Sequence, residues 1–166
     1  VDSVASLYGT NNLKKFISKT AKNLFVPLSV GGGIRTMGDI ENFLKFVKEA
    51  SRIFGSSTIT CIIETVKYQK QYFITKESGR DSIKISPVDW AKKLEDAGAG
   101  EIFLTSVNKE GLKQGFDINI SEKVSKSVRI PVVAHGGAGS FKDVYKVIKE
   151  TNISGAVSYT HLTLPT

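Results

Sequence analysis

The sequence predicts an α/β fold made of βα units, a (βα)8 TIM barrel or part of one, and three observations carry that prediction. Short apolar, β-branched runs alternate along the 166 residues with stretches whose apolar positions fall at helical spacing. That alternation builds a parallel sheet covered on both faces, with sites at the carboxyl ends of its strands. One pattern also occurs twice: Val26-Pro-Leu-Ser-Val-Gly-Gly-Gly-Ile-Arg-Thr36 returns as Ile130-Pro-Val-Val-Ala-His-Gly-Gly-Ala-Gly-Ser140. The echo continues through Asp39 and Asp143, Ile40 and Val144, Phe43 and Val147, Leu44 and Ile148, which reads as an internal duplication. Each copy is a strand, a glycine turn and a hydroxyl N-cap of a helix. Backbone N–H groups at such a turn, with the helix dipole behind them, suit an anion. Two cradles point to a substrate with a phosphate at each end, and a phosphate ligand favours the barrel.

The elements follow in order. Residues 13–24 carry apolar side chains at helical spacing, and 26–30 read as a buried strand. A helix is predicted over 38–54, opened by Thr36 with Asp39 in a capping-box-like start. Residues 57–65 are β-branched and apolar, hence a strand; 68–75 alternates as a strand of a small excursion, closed by the Ser78-Gly79-Arg80 turn. Pro87 opens a helix over 88–97, with Gly98 as its C-terminal cap. A strand at 101–105, a helix at 118–127, a strand at 130–134, a helix at 141–150 and a strand from 155 to 158 complete the chain. Ser140 with Asp143 repeats the capping-box spacing.

Composition narrows the function classes. Hydrophobic residues make up 40% and charged residues 23%, ordinary for a globular protein. No apolar run approaches the ~20 residues of a membrane span, so no membrane association is expected. The net charge of +7 comes from lysines spread over helix faces without interleaved aromatics, which argues against nucleic acid. Cys61, the one cysteine, lies inside an apolar run and reads as a reduced core thiol in a cytoplasmic protein. Two scattered histidines and one cysteine make no metal constellation.

Five segments carry a resemblance. Pro27-Leu-Ser-Val-Gly-Gly-Gly-Ile-Arg, Val88-Asp-Trp-Ala-Lys-Lys, Ala99-Gly-Glu-Ile-Phe-Leu-Thr-Ser, Glu110-Gly-Leu-Lys-Gln-Gly-Phe-Asp and Pro131-Val-Val-Ala-His-Gly-Gly-Ala-Gly match in order and spacing. Together they resemble the cyclase subunit of imidazole glycerol phosphate synthase, the HisF-like family. The resemblance implies a ribulose-phosphate-binding (βα)8 barrel of duplicated halves and a lyase reaction of histidine biosynthesis. In it, ammonia and a bis-phosphorylated ribulosyl-formimino-carboxamide ribotide give imidazole glycerol phosphate and AICAR, with no cofactor and no metal. The ammonia comes through the barrel from a glutaminase partner in a heterodimer. Carried over, one phosphate grip falls on Gly111 and Gly137 with Glu110 beside it, and the other on Gly33. Thr105 and Ser106 match residues lining the site, and Glu101 matches a charged residue at the ammonia entrance. The catalytic acid/base position falls on Glu64, where the family usually has Asp.

The chain also departs from that pattern. The other catalytic aspartate is expected upstream of Val1, and Asp2 matches a site-lining acid instead. Between the two glycine copies the duplication calls for three strands, yet only 57–65 and 101–105 read as parallel strands, and the helix from residue 38 runs straight through Phe46 and Val47. Residues 157–166 leave the pattern and read as a non-native tail after a partial barrel domain over 1–156. These departures lead to the expectation that the 166 residues alone are inactive. Four alternatives stand beside the cyclase: a paralogue supplying ammonia for amidation of a surface-polysaccharide sugar, another two-phosphate barrel such as the preceding isomerase of the same pathway, a non-catalytic activator of a glutaminase, and an inactive fragment.

Overall fold

The computed structural model describes residues 37–76 and 81–158. The predicted helix at 13–24, the strand at 26–30, Gly33 with its glycine turn, Thr36, Asp2, the 78–80 turn and residues 159–166 lie outside the described residues. The described elements are α1 (Met37–Phe54), a 3-10 turn (Ser56–Thr58), β1 (Thr60–Tyr68), β2 (Gln71–Lys76), β3 (Asp81–Ile83), α2 (Pro87–Asp96), β4 (Glu101–Ser106), α3 (Ile118–Ser125), β5 (Val132–His135), α4 (Phe141–Glu150) and β6 (Gly155–Val157). They form one sheet of order β3-β2-β1-β4-β5-β6. The run β1-β4-β5-β6 is parallel, and β2 and β3 are antiparallel additions at its side.

The four parallel strands follow each other in chain order without a reversal. Right-handed crossovers then put every connecting helix on the same face, the winding of a (βα)8 barrel rather than of a doubly wound sheet. Burial agrees. Cys61, Ile63, Ile102, Leu104, Val132 and Ala134 pack into one core with Trp90 and Leu94 of α2, Val124 of α3 and Val147 of α4. The expectation of cover on both faces is corrected for the described residues. The alternate strand positions Thr60, Ile62, Phe103 and Val133 are only half-buried or exposed. They form the face that a barrel turns inward.

Local sequence explains the boundaries. In α1, Ile40 and Val47 stand seven residues apart and are both buried, while Phe43 stacks on Trp90 with ring centroids 6.4 Å apart. The helix is unbroken through Phe46 and Val47, as the sequence predicts. It stops at Gly55, whose φ of 85° leaves the helical region. The strand expected from residue 57 starts at Thr60 instead. Ser56–Thr58 closes a 3-10 turn first, because the Thr58 hydroxyl donates to the carbonyls of Gly55 (2.8 Å) and Phe54 (3.2 Å). At its other end β1 runs on to Tyr68, and Gln69-Lys70 turns it into β2, so the excursion is a hairpin rather than a separate strand from residue 68. The expected strand at 130 starts at Val132, and α3 ends at Ser125 rather than 127.

Gly98 caps α2 as predicted. The amide of Gly98 donates to Glu95 and that of Ala99 to Leu94, the paired bonds of a Schellman motif, with Gly98 at φ 100°. The chain leaves this cap directly into β4, which aligns β4 beside β1 with Glu64 opposite Thr105 and Thr65 opposite Ser106.

Candidate active site

The carboxyl ends of β1, β4 and β5 bring three polar side chains into one row. Glu64 pairs with Thr105 and Thr105 with His135, so all three stand at one register level. Residues level on adjacent parallel strands point to the same face, here the inner one. Thr105 and His135 are buried, Glu64 is half-buried, and Thr105 Oγ1 lies 3.2 Å from His135 Nδ1. The ring of His135 also meets Phe103, with centroids 5.3 Å apart. The Thr65 hydroxyl donates to the Thr105 carbonyl at 2.9 Å and fixes the strand end beneath the row.

Glu110 faces this row from the turn after β4. The amides of Lys109 and Glu110 both donate to the Ser106 carbonyl, which folds the chain back over the strand end. Glu64 has its carboxyl pushed above the usual range, first by burial and then by the charge of Glu110, while the Thr75 hydroxyl pulls the other way. No hydrogen bond of ordinary geometry satisfies the Thr75 Oγ1 atom, so the opposing pull of that hydroxyl is weak. Burial pushes the His135 imidazole below its usual value, and the Glu110 carboxylate partly offsets that. A carboxyl raised by burial and a like charge at a strand-end mouth is a candidate for proton transfer.

The glycine segment after β5 packs directly on the turn that carries Glu110 and Gly111. Gly115 donates its amide to the Gly137 carbonyl at 2.8 Å. A Cβ on Gly137, whose φ is 103°, would meet the Gly115 carbonyl oxygen at 2.2 Å. One on Gly136 would lie 3.5 Å from the Glu110 amide nitrogen. The two segments expected to grip a phosphate, at Gly111 and at Gly137, are therefore neighbours. Gly111 itself turns at φ 74° with open space around its α-carbon.

Two expected site residues stand apart. Ser106 follows Thr105 on β4, so alternation turns its side chain to the helix-covered face beside Thr65, and it serves the site through its carbonyl. Glu101 sits at the amino end of β4, where its Oε2 accepts the Thr60 hydroxyl at 3.0 Å. The inner face thus has Thr60 and Glu101 at one end, Ile62, Phe103 and Val133 between, and Glu64, Thr105 and His135 at the other. His135 was missed as a member of the row. Its signal was in the repeat itself, where the first copy has Gly31 at the matching position.

The amino end of α4 carries the predicted capping box, in which Asp143 holds the two residues ahead of the helix. Asp143 Oδ2 accepts the amides of Gly139 (3.0 Å) and Ser140 (2.8 Å) and the Ser140 hydroxyl (3.0 Å). Loss of surrounding water pushes the Asp143 carboxyl upward, but these donors and Lys146 together hold it below its usual range. Asp143→Ala is expected to lower stability by about 1 kcal/mol, the usual worth of such a cap, in urea unfolding at pH 7. Because the folded value is depressed, this contribution is present above the ordinary aspartate value and fades as pH falls through the folded one.

The hairpin braces the site from the side. The Tyr72 hydroxyl donates to Asp117 at 2.9 Å and 3.1 Å, and Asp117 Oδ1 accepts the Ile120 amide at the start of α3. Burial first, then the hydrogen bond and charge of Asp117, push the Tyr72 phenol upward. Asn108 Oδ1 accepts the Lys67 amide from β1. The 107–117 loop, with Glu110 and Gly111, is thereby tied at both ends to β1 and β2. Tyr72→Phe is expected to cost about 1–2 kcal/mol, as for a hydrogen bond to a charged group, read as a shift of the urea midpoint without a change of slope.

Among the described residues no group of His, Cys, Asp and Glu could hold a metal ion, and no helix is long and apolar enough to cross a membrane. Cys61 is buried, its thiol pushed up to about 11 by burial, and carries no reactivity here.

A family model described as histidine biosynthesis protein matches residues 1–46 and 44–161. The two stretches meet inside α1. Imidazole glycerol phosphate synthase subunit HisF of Sulfurisphaera tokodaii is 35% identical over 178 residues, covering 97% of this chain and 72% of the relative. The subunit HisF of Legionella pneumophila is 37% identical over 161 residues, covering 86% and 76%. That of Prochlorococcus marinus strain MIT 9215 is 36% identical over 177 residues, covering 95% and 69%. The Sulfurisphaera match spans 178 residues, more than the 166 of the whole chain, so within that span the relative carries sequence that this chain lacks.

Proposed function

The chain belongs to the histidine biosynthesis protein family, and from that premise we propose that it is the cyclase subunit of imidazole glycerol phosphate synthase. The observation that carries this reading is the strand-end mouth, where Glu64 and Thr105 stand in one row under Glu110 and beside the abutting Gly111 and Gly137 segments. A bis-phosphorylated ribotide would place one phosphate on the amides around Gly111 and Gly137, and the other at Gly33. Its reacting carbon would then lie over the row, with Glu64 exchanging protons as ring closure and cleavage proceed. Thr105 would orient the substrate by its hydroxyl.

The inner face supports an ammonia supply from a glutaminase partner at the opposite end. Glu101 and Thr60 mark that end, and the apolar Ile62, Phe103 and Val133 lie level with one another between it and Glu64. Neutral ammonia crosses such a lining with little penalty, whereas ammonium pays the desolvation of its charge. The domain runs through β6 to Val157 in this reading, and the family match extends to residue 161. A cytoplasmic place fits the reading.

The test is binding of the bis-phosphorylated ribotide by titration calorimetry, with Gly137→Ala as the control. Binding that the variant abolishes supports the reading, and no binding overturns it. Sequencing the source locus across Phe46 and Val47 addresses the internal gap. An extra strand there would supply the missing βα unit, and the same junction would leave α1 as a fusion of two helices.

A further inference from the structure

We propose that Thr75 is a positioning residue for Glu64, its hydroxyl held at the mouth to donate to the Glu64 carboxylate while that group exchanges protons. The inference deepens the cyclase reading and rests on it. The pairs Thr65–Ile74 and Val66–Phe73 place Thr75 of β2 directly opposite Glu64 of β1. Ile74 is buried with Thr65 on the helix-covered face, so alternation turns Thr75 to the inner face beside Glu64. Side chains so paired have their β-carbons about 4.5–5.5 Å apart, which brings a hydroxyl within reach of a carboxylate. The row at the strand ends therefore begins one strand earlier, in the hairpin.

The Thr75 Oγ1 atom is buried and has no hydrogen-bond partner. A buried hydroxyl left in this way costs free energy and calls for a reason. The other such side-chain oxygen among the described residues, Glu122 Oε2, belongs to a carboxylate whose Oε1 pairs with Lys126 on α3. For Thr75 the reason lies opposite, in a carboxyl that changes its protonation state. By rotating, a hydroxyl donates to a carboxylate or accepts from a carboxylic acid, and it keeps its own proton throughout. Donation favours the charged form, so Thr75 opposes what burial and Glu110 do to Glu64. Substrate over the mouth displaces water from the carboxylate and strengthens the bond to this donor. Among the described residues, the ionisable groups on this side are Glu110, from the turn after β4, and His135 of β5, beyond Thr105. β2 faces Glu64 with uncharged Thr75, and Lys67 of β1 lies on the opposite face, over the Tyr72 ring.

The test uses the full native polypeptide with the bis-phosphorylated ribotide and ammonium, and reads kcat and KM against pH. Ionised Glu64 accepts the first proton, so the acid limb of kcat reports it. Thr75→Val keeps the shape and removes the donor. It is expected to move that limb upward by about one pH unit, to lower kcat at neutral pH about tenfold and to keep KM within about threefold. Thr75→Ser restores the hydroxyl and is expected to return the limb to its wild-type position. Thr75→Cys, whose thiol is a weak donor, is expected to move the limb as Thr75→Val does; it decides the matter if Thr75→Val fails to fold. An unmoved limb, with the change confined to KM or to the urea midpoint, would overturn the proposal and make Thr75 a substrate ligand or a structural residue. Ribotide binding without turnover in the wild type would also overturn it, leaving the binding site standing. Absence of binding would instead overturn the cyclase reading beneath it, and the proposal with it.

Discussion

Glu64→Gln is expected to lower ammonia-dependent turnover of the full native polypeptide by about 10²–10⁴-fold, the range for losing a positioned general acid/base. The amide keeps the shape of the side chain, so the loss reports proton transfer rather than packing. The same variant is expected to be slightly more stable than the wild type at neutral pH. Burial and the Glu110 charge raise the folded carboxyl value, so folding favours the protonated form. The penalty is therefore present above the folded value and vanishes as pH falls below the ordinary glutamate value. Glutamine removes it, and the stability gain should disappear in acid. Lost turnover together with gained stability is the signature of a residue held for chemistry. Retained turnover would make Glu64 an ordinary strand-end carboxylate. Glu64→Asp is a useful companion, because it restores the residue usual in the family while drawing the carboxylate back by about a bond length, a displacement that matters to near-attack geometry.

Gly137→Ala is expected to destabilise the fold by about 3 kcal/mol or more and to abolish ribotide binding. Two separate terms add. A φ of 103° is strained for any residue with a Cβ, at about 1–3 kcal/mol. The new methyl would also stand 2.2 Å from the Gly115 carbonyl oxygen, a backbone atom that cannot rotate away. Relief requires the 107–117 loop to move, at about 1–3 kcal/mol for overpacking. That movement stretches the bond from the Gly115 amide to the Gly137 carbonyl and carries Glu110 and Gly111 off the strand ends. Urea unfolding reads the stability loss and calorimetry the binding. Gly111→Ala makes the contrast: its turn is strained at φ 74°, but nothing surrounds it, so about 1 kcal/mol is expected.

These two positions show what was legible in the sequence. The strand-then-glycine pattern located β5 and the capped start of α4, because apolar β-branched runs and S/T-x-x-D spacing are local signals. The parallel order was legible for the same reason, each helix lying between the strands it connects. The hairpin was only partly so. Nothing in residues 57–68 marks where a local hydroxyl turn outcompetes the strand, or that β1 outlasts its parallel neighbour to pair with β2. Ser106 was grouped with Thr105 by adjacency in the chain, but a strand sends neighbours to opposite faces, and the register of β4 on β1 decided which of them reaches the mouth. The tie from Tyr72 to Asp117 joins residues far apart in sequence, and neither belongs to a motif. The glycines had been read for their amides alone. Gly137 is also required by the close approach of the Gly115 backbone, a packing demand that composition does not reveal.

The helix α1 carries a further lesson. It is continuous where the two stretches matched by the family model meet, and Ile40 and Val47 lie on either side of that junction with both side chains in the core. Their seven-residue spacing keeps one buried face across the join.

The central claim is that the strand-end mouth converts a bis-phosphorylated ribotide with ammonia. The most direct measurement supplies the full native polypeptide with that ribotide and ammonium salt, without a glutaminase, and separates the products by chromatography. Equal amounts of imidazole glycerol phosphate and AICAR, absent with Glu64→Gln, are the predicted result. An unconsumed ribotide, with stimulation of an added glutaminase as the only effect, would contradict it and leave the chain a non-catalytic activator.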